Sequence, residues 1–134
     1  MRSFCLALCG AVLLTSCGGN SDNSASGALT ADSLVGEWDV ALYFDPNQPP
    51  SSTEMIIRAA ADGQLIGSFY QSEFEESGYT VFEEEVLFTV QTSDNSGPYL
   101  TSGRLAGDCI DGQTLSTGRD FLMAWKACPK TVAE

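Results

Sequence analysis

Histidine is missing from this 134-residue chain. Its absence removes Ser-His-Asp and Cys-His nucleophilic sites, histidine-ligated zinc and the commonest general base. Positive charge is scarce as well: six Lys and Arg stand against eighteen Asp and Glu, a formal net charge of −12. A field of that sign repels phosphate backbones and anionic lipid surfaces, so no nucleic-acid partner is expected. Long apolar runs are lacking too. The stretch from Phe4 to Leu14 falls short of the roughly 20 residues a membrane-spanning helix needs.

That apolar stretch follows the basic Arg2 and ends in Leu14-Thr15-Ser16-Cys17, with Gly18-Gly19-Asn20 beyond. A charged start, a short apolar run and a small-residue cleavage site describe a secretory signal. With cysteine directly after the small residues, the tetrapeptide resembles a bacterial lipobox, a likeness confined to residues 1–19. In that family the cysteine thiol receives a diacylglycerol, the signal is cut before it, and the new amino terminus is acylated. The resemblance implies a signal peptide over 1–16, lipidation at Cys17 and a membrane partner reached through the lipid. Each buried methylene contributes about 0.8 kcal/mol, so two or three chains hold firmly where one does not. Gly18 stands where inner-membrane retention typically shows aspartate. That implies the outer membrane, with the protein facing the periplasm or the cell surface. The plainer alternative is an ordinary cleaved signal in which Cys17 has no role.

Cleavage before Cys17 would leave 118 residues, and with Arg2 gone five bases face eighteen acids, a formal charge of −13. Such a length supports one modest core. Cys5 and Cys9 leave with the signal, and lipid blocks Cys17, so Cys109 and Cys128 remain. In an oxidising compartment a disulfide between them is expected. Residues 17–33 hold the lipidated cysteine and a run of small polar residues with little to bury, which reads as a flexible tether. The folded domain is expected over 34–130.

From Leu34 onward short alternating runs are separated by turn residues, the pattern of an antiparallel all-β domain. Strands are expected near Glu37–Phe44, Thr53–Ala60 and Gln64–Glu73. Tyr79–Gln91 supplies one long strand or two short ones, Tyr99–Leu105 another, and a terminal hairpin follows. Asp45-Pro46-Asn47-Gln48-Pro49-Pro50 cannot supply a ladder and is a loop. Asp62-Gly63 is a strong hairpin turn. In Leu65-Ile66-Gly67 and Ile110-Asp111-Gly112 an in-strand glycine marks sharp bending or the close approach of a bulky neighbour. The terminal hairpin can be read in register. Cys109 and Cys128 are symmetric about Gly118-Arg119, which pairs Ile110 with Ala127, Gly112 with Trp125, Thr114 with Met123 and Ser116 with Phe121. The same register sets Asp111 beside Lys126 and Leu115 beside Leu122. A bridge, an ion pair and a small–large pair follow from one alignment.

Leu34-Val35-Gly36-Glu37-Trp38 resembles the Gly-x-Trp opening of the lipocalin and avidin-like barrels, the calycins, and the likeness extends loosely over 34–128. It implies an antiparallel up-and-down β-barrel of about seven or eight strands. It implies Trp38 plugging the closed end, with Arg119 or Lys126 packed over the indole by a cation–π contact. The usual long C-terminal helix of lipocalins is missing, and no residue set resembles the biotin site of avidins.

Trp38, Leu42, Phe44, Met55, Phe69, Phe88, Met123 and Trp125 form the candidate ligand cavity, or else fill a closed core. An eight-stranded barrel is just wide enough for either. A ligand would enter at the end carrying Pro49-Pro50, with Tyr43, Phe44 and Tyr79 near the rim. Glu73, Glu75, Glu76, Glu83, Glu84 and Glu85 crowd one hairpin, where a weak calcium site or a sugar-directed acid–base pair weighs against a solvated face. No cofactor, metal or catalytic set is expected. The sequence reads as a monomeric, non-enzymatic envelope lipoprotein binding a small apolar ligand or an envelope protein. From another class comes an inhibitor or accessory protein of an envelope enzyme such as a protease or lysozyme.

Overall fold

The computed structural model describes residues 27–132. Cys17, the signal peptide and most of the tether lie outside the described residues. A single 3₁₀ turn, Ala31–Leu34, precedes nine strands: β1 (Gly36–Tyr43), β2 (Ser51–Ala61), β3 (Gln64–Phe69), β4 (Ser72–Glu73), β5 (Glu76–Phe82), β6 (Glu85–Asp94), β7 (Gly97–Ala106), β8 (Cys109–Ser116) and β9 (Phe121–Pro129). They form one antiparallel sheet in the order β4-β3-β2-β1-β9-β8-β7-β6-β5, so the first and last long strands lie side by side. The all-β expectation holds. Among the described residues the strand count is nine, and the sheet is not closed by a continuous ladder. Between β3 and β5 the edges meet through the Ser77 side chain and one backbone bond. The Ser77 hydroxyl accepts from the Leu65 N–H (2.8 Å) and donates to the Leu65 carbonyl (2.9 Å). The Tyr79 N–H donates to the Gly63 carbonyl at 3.1 Å.

Alternation decides which way each strand faces. Trp38, Val40 and Leu42 of β1 point inward, as do Val86, Phe88, Val90 and Thr92 of β6, while the residues between them face outward. Successive β side chains lie on opposite faces, so one apolar set per strand converges on one core. Phe69 and Trp125 meet there with ring centroids 5.6 Å apart. Leu34, the first residue of the expected domain, is fully buried, and Leu29, within the segment read as tether, also packs against the core. The Leu34 carbonyl accepts from the Trp38 indole N–H at 2.9 Å. This caps the end of the sheet that also carries the Asp62-Gly63 and Gly107-Asp108 turns; we call it the foot.

The terminal hairpin takes the expected register at every named pair, from Ile110–Ala127 to Ser116–Phe121. Cys109 and Cys128 are disulfide-bonded, with α-carbons 4.4 Å apart. Both in-strand glycines mark close approaches. A β-carbon on Gly112 would stand 2.1 Å from the Trp125 ring, and one on Gly67 2.1 Å from the Ile56 carbonyl oxygen.

Candidate functional site

Opposite the foot, the mouth is built from the β1–β2 loop, the β3–β4 turn, the β6–β7 turn and the β8–β9 turn. Two of these turns touch. A β-carbon on Gly118 would lie 1.8 Å from the Ser96 carbonyl oxygen, so only glycine lets them pack this tightly. Between the turns lies a hollow of about 130 Å³. Leu42, Phe69 and Met123 line its apolar base, Thr92 and Thr114 its wall, and Phe44, Tyr70, Tyr99 and Phe121 its margin, with Asp94 and Arg119 beside them.

Seven of the eight cavity candidates are core residues. Trp38, Leu42, Met55, Phe69, Phe88, Met123 and Trp125 are all buried, the least so Met123 at 7% exposed. Only Leu42, Phe69 and Met123 of these also border the hollow. Phe44 is 62% exposed and stands on the rim, its ring edge-on to Phe121 at 6.3 Å. The expected rim is otherwise corrected in two places. Tyr43 belongs to the outward-facing residues of β1. Tyr79 is bonded near the foot, at Gly63, because β5 runs away from the mouth. The cation–π expectation over Trp38 is also corrected. Lys126 is paired with Asp111 at 2.9 Å, and Arg119 lies over the Phe121 ring, 5.2 Å from its centroid.

Polar side chains that sequence reasoning left out of the site stand beneath the mouth. Thr92, Thr101, Thr114 and Ser116 are inward-facing and buried. Thr101 and Thr114 share a hydrogen bond at 2.9 Å, and Thr114 Oγ1 accepts from the Trp125 indole N–H at 3.1 Å. Ser116 Oγ is the one buried side-chain polar atom without a hydrogen-bond partner among the described residues. The signal was present in the hairpin register, which aims Thr114 and Ser116 at the core beside Met123 and Phe121. Hydroxyls at inward positions are uncommon enough to mark a wall. Asp94 is engaged at both oxygens, by the Ser96 N–H at 2.7 Å and the Tyr99 hydroxyl at 3.0 Å.

The acidic residues of the β4–β6 region disperse. Glu73 pairs with Arg58 and Glu85 with Arg104, and the carboxylate of Glu75 accepts from Ser93. Among the described residues no three acidic side chains converge in a metal-holding group. A larger depression of about 890 Å³ lies on the outer face over β5–β8, between Thr80, Thr89, Ser102 and Gln113. It is open and shallow, with Leu87 among short polar side chains, and does not enclose a ligand as a cleft does. The mouth is the better-formed site. No described helix is long and apolar enough to cross a membrane.

Compared with family models, curated proteins and solved structures, the chain finds no match. The functional reading therefore rests on its own residues.

Proposed function

We propose that this chain is a lipid-anchored, non-enzymatic protein of the cell envelope whose β-domain seats a small apolar group at its open end. The observation that carries the reading is the hollow of about 130 Å³ at the mouth, bordered by the buried core residues Leu42, Phe69 and Met123. A cavity of about 150 Å³ accepts benzene, whereas drug-sized ligands occupy roughly 300–1,000 Å³. The group seated is thus a single ring or a short branched chain, with the aromatic margin closing around it. The nine strands act as a calycin-like barrel whose remaining seam is bridged by Ser77 and Tyr79. Leu34 and the indole bond of Trp38 at the foot fit the plugged end that the Gly-x-Trp resemblance implies.

Growing cells on a clickable fatty acid tests the anchor: the wild-type protein should label and Cys17→Ser should not. Equal labelling of both would overturn it.

The size of the hollow favours a second reading, in which the occupant is a side chain of an envelope protein and the domain an inhibitor or accessory factor. The mature charge of −13 would steer a basic partner such as lysozyme. Native mass spectrometry of the purified protein separates the two. A retained small molecule favours the ligand, and an empty domain that binds a basic envelope enzyme favours the partner.

A further inference from the structure

Two groups at the mouth have neither a hydrogen-bond nor an ion-pair partner among the described residues. Among the described residues, four of the five basic side chains lie within salt-bridge distance of carboxylates: Arg58, Arg104, Lys126 and Lys130. Arg119 is the exception, in a chain where acids outnumber bases threefold. Its guanidinium is held over the Phe121 ring, at the edge of the hollow. Stacking on an aromatic face fixes the position of an arginine and leaves its N–H edge free to donate. The second group is the Ser116 hydroxyl. It is 1% exposed, has no partner, and lies in register between Tyr99 and Phe121, two residues that line the hollow. A buried hydroxyl left without a partner costs about 1–3 kcal/mol, and an incoming acceptor would recover that cost.

We propose that the hollow takes a small aromatic acid, with its ring between Phe69, Met123 and Phe121 and its carboxylate on Arg119. This deepens the open-end reading and rests on it. The ring fits the volume, and aromatic walls favour a planar occupant. Guanidinium and carboxylate match in a two-point geometry, and such charge-assisted bonds are about twice as strong as neutral ones. The Ser116 hydroxyl lies behind this lining, as the partnerless donor in register with Phe121, the ring on which Arg119 stacks. Asp94 borders the same hollow but is not in salt-bridge contact with Arg119; its oxygens accept from Ser96 and Tyr99. It sets the side from which the acid enters, since a carboxylate placed against it is repelled.

The test is an NMR titration of the purified protein with benzoate and with benzyl alcohol, one ring bearing a charged or an uncharged head. Benzoate is expected to bind about tenfold more tightly, which corresponds to about 1.4 kcal/mol. Arg119→Gln, at an exposed turn, should abolish the preference for benzoate over benzyl alcohol. Ser116→Ala should weaken benzoate binding while raising Tm, because it removes the unpartnered hydroxyl; a merely structural serine would not move the two in opposite directions. Benzyl alcohol binding as tightly as benzoate would overturn the acid and spare the open-end site. Failure of both probes to bind would overturn the site itself, and unchanged affinity in Ser116→Ala would remove the hydroxyl from it.

Discussion

Replacing Gly112 by alanine should disturb this fold more than its single added methyl suggests. The new β-carbon would lie 2.1, 2.4 and 2.5 Å from three atoms of the Trp125 ring. No relaxation of a flexible side chain can relieve three contacts on one rigid indole. The ring must move, and it is held on two sides: its N–H donates to Thr114 at 3.1 Å, and its face packs on Phe69 at 5.6 Å. Overpacking a core costs about 1–3 kcal/mol, and stranding a buried donor adds about 1–3 kcal/mol more. A loss of about 3 kcal/mol follows, or about 12–24 °C in Tm for a domain of this size. Gly78 is the control. It also sits in a strand, but nothing lies within 4 Å of its would-be β-carbon and its backbone is outside the left-handed region. Gly78→Ala should be neutral, or stabilising by up to about 1 kcal/mol through the unfolded chain. Urea unfolding followed by tryptophan fluorescence measures both, since Trp38 and Trp125 are buried. A Gly112→Ala protein within about 0.5 kcal/mol of wild type, the spread of ordinary surface changes, would refute the seating of the indole and the β8–β9 register with it.

Removing the Cys109–Cys128 bridge as a double serine variant, with a sequence separation of 19, should cost about 3 kcal/mol in chain entropy, read from the urea midpoint. Ser77→Ala deletes both hydroxyl bonds across the β3–β5 seam and should cost about 1–2 kcal/mol. Hydrogen exchange should speed up at Leu65, while amides of the β8–β9 ladder keep their protection. Hydrogen bonds and charge from Glu37, then Glu54, raise the Lys130 ammonium above its ordinary pKa. A raised folded-state value means the pair stabilises at neutral pH and up to the ordinary lysine range, and is lost as pH climbs through the raised value. Lys130→Met should flatten the alkaline fall in Tm, and an unchanged alkaline limb would contradict the pairing.

Sequence alone exposed the terminal hairpin most fully, because four unlike pairs (a bridge, an ion pair, a glycine under an indole and two leucines) agree on one alignment. It was least clear between Gln64 and Gln91. The β3–β4 turn places Tyr70 and Gln71 at φ of 52° and 66°, and the β5–β6 turn places Glu83 at 55°. None of these residues is a usual left-handed turn former, so neither turn announces itself. Arg119, one of the two bases expected over Trp38, stacks instead on Phe121 for a reason of distance. It caps the mouth end of β9, whereas Trp38 pairs with Pro129 at the other end of that strand. Eight residues from Phe121 to Pro129 span roughly 26 Å. The inward hydroxyls follow from the register but carry no apolar signal, so an apolar stripe does not reveal the residues that distinguish the mouth from the rest of the core.

The seating of a ligand at the open end is tested most directly by mapping amide shifts as the ¹⁵N-labelled protein is titrated with benzyl alcohol. The shifts are expected at Leu42, Phe69, Thr114, Phe121 and Met123, around the hollow of about 130 Å³, with Thr89, Ser102 and Gln113 on the outer face still. Shifts centred on that outer depression, or none at the mouth at saturating probe, would contradict it.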